Sequence, residues 1–145
     1  IILDNSITGM TGHQQNPTTG LTLKGEPTKQ VDLEALCHAI GIDSVRIADP
    51  FDVDAFEKVV KEEVAKDEPS VIIAQRPCAL LKSVKYGGCV KVDAGKCKKC
   101  KMCMKIGCPA ISYRDGVVID TTLCNGCGLC MNVCKFGALT KEETK

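Results

Sequence analysis

Rings are nearly missing from this chain: aromatic residues make up 3% of it, with three Phe, two Tyr and no Trp. A core must then be built from Val, Ile, Leu and cysteine, or be completed by an inorganic group in place of large side chains. Charge of one sign is also lacking, since nineteen Lys and Arg face eighteen Asp and Glu for a net +1. Net charge therefore points to neither nucleic acid nor a membrane surface as partner. Apolar runs are short, Val71 to Ala74 being typical of the longest, far below the roughly 18 residues that span a bilayer. Nothing resembles a secretory leader, so the expected compartment is cytoplasmic. An initiating Met is absent too; the chain opens Ile1-Ile2-Leu3-Asp4 with an apolar strand already under way. That opening reads as a piece of something longer.

What the chain has in quantity is cysteine, eleven residues in 145. Eight of them fall into two near-copies of one pattern, Cys97, Cys100, Cys103 and Cys108, then Cys124, Cys127, Cys130 and Cys134. An odd total argues against a secreted disulfide framework. Structural zinc uses paired C-x2-C knuckles that sum to four ligands, whereas each run here places three cysteines on one tight loop and a fourth beyond it. This is the pattern of two 4Fe-4S clusters, in which the fourth cysteine of each run serves the other cluster. One cluster is then assigned to Cys97, Cys100, Cys103 and Cys134, the other to Cys124, Cys127, Cys130 and Cys108. Cys108 is followed by Pro109, as in bacterial ferredoxins, but Cys134 is followed by Lys135, a cation beside the first cluster. Cys37 and Cys78 sit among apolar residues and read as core thiols. Cys89 reads as a bystander near a domain boundary.

The cysteine runs belong to a larger internal repeat. Val90-Lys91-Val92-Asp93 precedes the first run and Val117-Val118-Ile119-Asp120 the second; Ala110-Ile111-Ser112 and Ala138-Leu139-Thr140 follow them. The first three cysteines recur at an offset of 27 and the fourth at 26, so the loop after the first triad should be the longer one. Six lysines, Lys91, Lys96, Lys98, Lys99, Lys101 and Lys105, crowd the first run. They form either a solvated face or a docking patch for an acidic electron carrier.

The first half has another texture. Ile1–Asp4, Val45–Ala48 and Val71–Ala74 are apolar runs of the kind found in parallel strands. Leu33, Leu36, Cys37 and Ile40 mark a helix with Asp32 as N-cap and Gly41 as its end. Val53, Phe56, Val60 and Val64 mark a second helix after Asp52. The fold class is therefore α/β, a partial open parallel sheet over residues 1–86, followed by a small α+β two-cluster ferredoxin-like domain over 87–145. Residues Met10 to Pro27 show no periodicity and follow the carboxyl end of a strand, where open α/β sheets bind ligands.

Asp4-Asn5-Ser6-Ile7-Thr8-Gly9-Met10-Thr11-Gly12-His13-Gln14 resembles the second half of the thiamine diphosphate motif of the 2-oxoacid:ferredoxin oxidoreductases. With Val31–Leu36, Asp49–Asp52, Val71–Ala74, Arg76–Leu81 and the two-cluster segment, the whole chain resembles the C-terminal part of indolepyruvate ferredoxin oxidoreductase alpha subunits. The resemblance implies that Asn5 gives its side-chain oxygen, and Ile7 its carbonyl, to a magnesium ion. It implies that Met10, Thr11 and Gly12 line thiamine diphosphate, Thr11 touching the diphosphate. His13 and Gln14 either approach the substrate or order the loop. The implied activity is oxidative decarboxylation of an arylpyruvate such as indolepyruvate to an acyl-CoA, with electrons passing through the two clusters to ferredoxin. Its implied partners are the remainder of the alpha subunit, a beta subunit, coenzyme A and ferredoxin. The Gly-Asp-Gly-like segment and the activating glutamate of such enzymes are not in this sequence, no catalytic residue is assigned, and the chain alone is expected to be inactive. Two rival readings are a plain electron carrier on an α/β scaffold and an oxidoreductase for a different 2-oxoacid.

Overall fold

The computed structural model describes residues 1–141, so the last residues of the expected 87–145 domain fall outside the described ones. The chain packs as two units, Ile1–Leu81 and the chain from Lys82 onward. This division lies slightly ahead of the 86/87 position read from the sequence. The carbonyls of Gly87 and Gly88 lie against Gly126, which ties the approach segment to the second unit.

The first unit is a three-stranded parallel sheet of β1 (Ile2–Asp4), β2 (Ser44–Ala48) and β3 (Ser70–Gln75), in the order β1-β3-β2. Ile2 stands opposite Ile73 and Asp4 opposite Gln75; across the other edge Ser44 meets Ser70 and Ala48 meets Ala74. The central strand is the most apolar, with Ile72, Ile73 and Ala74 all buried, as a strand flanked on both sides requires. On the edge strand β1, Leu3 remains 81% exposed.

Helix α1 (Leu33–Ala39) follows the long loop, and α2 (Val53–Val64) connects β2 to β3. Both begin as their sequences dictate: Asp32 Oδ1 accepts from Ala35 N at 3.0 Å and Asp52 Oδ1 from Ala55 N at 3.2 Å. Such caps stabilise a helix by about 1 kcal/mol each. Gly41, at φ +88°, closes the turn after α1. Near the end of α2 the side chain of Glu63 is 1% exposed. It accepts from Ser44 Oγ at 2.6 Å and Lys66 Nζ at 2.9 Å, with Arg46 Nη1 at 3.4 Å.

Among its described residues the second unit has four short strands, β4 (Lys91–Val92), β5 (Ile111–Tyr113), β6 (Val117–Ile119) and β7 (Leu139–Thr140). A 3₁₀ turn (Met102–Ile106) and a single-turn helix α3 (Leu129–Asn132) follow the two cysteine loops. The turn after the first triad is the longer, as the offsets predict. The two halves of the repeat pair crosswise and antiparallel: β4 with β7, β5 with β6. Matching hydrogen bonds mark the repeat, Asp93 N to Ala138 O and Asp120 N to Ala110 O, both 2.8 Å. Buried Val90, Ile111 and Leu139 pack with Cys103 and Cys130 in one core.

Candidate cofactor sites

The first site grows from the carboxyl end of β1. Asp4 Oδ1 accepts from Ser6 N at 3.0 Å and Asn5 Oδ1 from Ile7 N at 3.2 Å, two successive Asx turns of the kind short polar side chains favour. Ser6 takes φ +60° to make the reversal. The segment after β3 fixes this turn from beside it, Arg76 N donating to Asp4 O at 3.0 Å and Cys78 N to Asn5 O at 2.8 Å. Ile7 is buried and anchors the turn to the unit's interior.

Beyond Ile7 the backbone of Thr8 and Gln14 exchanges two hydrogen bonds, 3.0 and 3.1 Å, and closes a small hairpin. Met10 stands fully exposed at its end. Thr11 Oγ1 donates to Gln14 Oε1 at 2.9 Å, and Gly12 and His13 carry positive φ of 106° and 60°. Asn5, Ile7, Thr8, Gly9 and Met10 line an open hollow together with Asp4, Asn16 and Thr18. Thr11 and Gly12 form the hairpin's turn and do not line that hollow, and Gln14 orders the loop. A lip of carboxylate, amide and hydroxyl oxygens at the end of a parallel sheet fits a hard cation and the phosphates it carries. The long loop is held by further internal bonds, among them Thr22 N to Glu26 O, Thr28 N to Gly20 O and Val31 N to Pro17 O.

The second site is the pair of cysteine sets. All eleven cysteines are free thiols. Cys97, Cys100, Cys103 and Cys134 surround one hollow whose other walls include Met102, Val117, Phe136 and Leu139. Burial pushes the Cys103 thiol up, with the neighbouring Cys134, Cys100 and Cys97 adding to it. Burial likewise pushes Cys130 up to about 11, with Cys127, Cys108 and Cys124 as its neighbours. Each triad thus meets the fourth cysteine of the other run. Four mutually facing thiols resist joint ionisation, and a cationic core that replaces their protons reverses that. Among the described residues no group of three or more His, Cys, Asp or Glu side chains gathers tightly enough for one metal ion. Thiols arranged round a hollow suit a polynuclear core better.

The cysteine loops are built alike. Cys97 N donates to Asp93 O and Cys124 N to Asp120 O, both at 3.0 Å. Asp93 Oδ1 also accepts from Gly95 N at 2.9 Å, and Asp120 Oδ1 from Thr122 N at 2.8 Å. The Thr122 hydroxyl and amide hold the Asp120 carboxyl below the usual range. Left-handed residues recur at matching places, Lys99 (φ 54°) and Lys101 (φ 60°) in the first loop, Gly126 (φ 73°) and Gly128 (φ 81°) in the second. Alternating left- and right-handed backbone of this kind gathers amide groups into concavities suited to anions. The repeat offset of 27 aligns these four residues in the sequence itself, Lys99 with Gly126 and Lys101 with Gly128.

The surroundings of the loops differ. Cys100 is exposed whereas its counterpart Cys127 is partly covered. Cys89 lies against the second loop, its Sγ 3.4 Å from Thr121 O and 3.5 Å from Cys124 O. Cys37 is buried, as expected for a core thiol, and Cys78 is half-buried within 4.0 Å of the position a Cβ on Gly9 would take. Lys101 Nζ lies 4.2 Å from the centre of the Tyr113 ring.

Residues 1–74 match the family described as thiamine pyrophosphate enzyme, C-terminal TPP binding domain, and residues 117–140 match the 4Fe-4S binding domain. The chain is 36% identical to an indolepyruvate oxidoreductase subunit IorA of Pyrococcus horikoshii, over 97% of this chain and 23% of the relative. It is 33% identical to the subunit of the same name from Methanothermobacter marburgensis, over 98% of this chain and 23% of the relative. With that of Archaeoglobus fulgidus it shares 38% identity over 78% of this chain and 19% of the relative. The chain therefore spans less than a quarter of the length of these curated relatives. Among the described residues no helix is long and apolar enough to cross a membrane. With residues 1–74 matched by that model, the chain belongs to the family of thiamine pyrophosphate enzymes with a C-terminal TPP binding domain, and it is similar over most of its length to part of the IorA subunits named above.

Proposed function

We propose that this chain is part of a thiamine diphosphate- and magnesium-dependent 2-oxoacid:ferredoxin oxidoreductase of the cytoplasm, acting on arylpyruvates such as indolepyruvate with coenzyme A. The observation that carries the reading is one chain holding both a largely apolar hollow, edged by Asp4, Asn5 and Thr8 at the end of a parallel sheet, and two convergent sets of four thiols. Thiamine diphosphate supplies the carbanion chemistry of decarboxylation, and iron-sulfur centres accept electrons one at a time. The chain's own residues divide the remaining work. Asn5 Oδ1 and the Ile7 carbonyl offer hard oxygen ligands to magnesium and Met10 borders the cofactor, while Thr11 and Gly12, on the hairpin turn outside the hollow, meet the diphosphate only where the cofactor extends past Met10.

Cys97, Cys100, Cys103 and Cys134 hold one 4Fe-4S centre; Cys124, Cys127, Cys130 and Cys108 hold the other. Residues 1–86 and 87–145 act as the cofactor and electron-transfer domains. The remainder of the alpha subunit and a beta subunit complete the substrate pocket, and ferredoxin receives the electrons. The plain-carrier reading leaves the turn at Asn5 and its hollow without a purpose. In the intact enzyme, Asn5→Ala should weaken magnesium and thiamine diphosphate binding at least about tenfold, a loss of roughly 1.4 kcal/mol, with iron content unchanged. Unaltered cofactor affinity would remove Asn5 from the metal site. Turnover of indolepyruvate against pyruvate and phenylglyoxylate then tests the substrate class.

A further inference from the structure

The near-zero net charge of the chain conceals a division. Residues 1–81 carry seven Lys and Arg against thirteen Asp and Glu, net −6, while residues 82–145 carry twelve against five, net +7. Within the second unit the basic charge sits on one of two otherwise equivalent loops. The first cysteine run contains Lys98, Lys99, Lys101 and Lys105 and no acid; from Thr121 to Cys134 the twin loop has no charged residue at all.

Lys99 and Lys101 occupy left-handed positions that the twin fills with Gly126 and Gly128. A left-handed lysine costs roughly 1–2 kcal/mol, and strain of this kind collects at working surfaces. Exposure divides the loops in the same direction. Gly126 is covered by the carbonyls of Gly87 and Gly88 and Cys89 lies on the Cys124 carbonyl, whereas Cys100 and the lysines beside it are open to solvent.

We propose that the first cysteine set is the electron exit of the enzyme, and that exposed Lys98, Lys99 and Lys105, in the same run as exposed Cys100, dock an acidic one-electron carrier protein. The inference rests on the oxidoreductase reading above and adds which site faces the carrier. Electron transfer falls steeply with separation, so an exit needs an open edge and a surface that holds the carrier against it. The twin loop has no basic residue, and its Cys127 is partly covered. Each docking passes one electron: the donor centre is oxidised by one, the carrier's centre is reduced by one, and no bond or proton moves. Two carriers are consumed for each two-electron oxidation.

The test uses the intact enzyme and a purified acidic ferredoxin. The dissociation constant of oxidised ferredoxin should rise steeply with salt in the parent enzyme. Lys99→Glu with Lys105→Glu should raise it about tenfold or more and flatten the salt dependence. Carbodiimide coupling should join ferredoxin carboxylates to Lys98, Lys99 and Lys105. Should charge reversal impair folding, Lys99→Gln with Lys105→Gln should give a smaller shift of the same sign. An unchanged dissociation constant, cross-links that avoid these lysines, or an equal effect from Asn125→Glu on the twin loop overturns the proposal. Reduction of a non-protein dye by indolepyruvate is read separately. Its absence from the parent enzyme defeats the oxidoreductase reading, while ferredoxin binding still reports on the docking surface.

Discussion

Gly126 and Lys99 occupy the same place in the two cysteine loops, and exchanging their characters should move stability in opposite directions. A Cβ on Gly126 would lie 2.3 Å from Gly88 O and 3.0 Å from Gly87 O, on a residue at φ +73°. The left-handed backbone alone costs an alanine roughly 1–2 kcal/mol, and forcing the covering carbonyls aside adds about 1–3 kcal/mol. Gly126→Ala should therefore lose about 2–5 kcal/mol, a large share of the roughly 5–15 kcal/mol that holds a typical domain together. Lys99→Gly relieves the same backbone penalty and concedes roughly 0.5–1 kcal/mol of chain entropy, leaving a net gain of between zero and about 1.5 kcal/mol. Denaturant unfolding of the iron-loaded chain, followed by visible absorbance and by retained iron and sulfide, measures both. A Gly126→Ala variant as stable as its parent would refute both the cover by Gly87–Gly88 and the equivalence of the two loops.

Cys134→Ala should empty the site built from Cys97, Cys100 and Cys103 and halve an iron content of about eight per chain; loss confined to the second triad would reject the crossed arrangement. Glu63, held below its ordinary value of 4.5 by the Ser44 hydroxyl and then by Lys66, stabilises the fold above that value. The contribution fades as pH falls through the lower folded pKa. Glu63→Gln should accordingly lower the melting temperature near neutrality and flatten its acid dependence; an unchanged acid limb would show that the network carries no linkage.

Strands and helices of the first unit were legible because their residues announce them: Val71–Ala74 is a continuous apolar run, and Asp32 and Asp52 stand one residue ahead of helical stripes. The order β1-β3-β2 was not legible, since periodicity identifies a strand without naming its neighbours. The cysteine sets were legible from spacing, which is a local constraint. Placement of Cys89 on the second loop was hidden because it depends on how Gly87 and Gly88 cross Gly126. The loop from Met10 to Pro27 shows no periodicity because its order comes from backbone bonds such as Thr28 N to Gly20 O, to which side-chain pattern is blind. The hairpin that carries Thr11 and Gly12 was likewise hidden, its turn fixed by the Thr8 and Gln14 ladder.

The crosswise pairing of β4 with β7 and β5 with β6 makes the two halves hostages of one another. Each half surrenders its last strand and its last cysteine to the other, so neither is a separable carrier that the duplication merely doubled. Cutting the backbone at Asp115, in the turn between β5 and β6, should leave two fragments that stay clasped while metal is loaded and part once a chelator strips it.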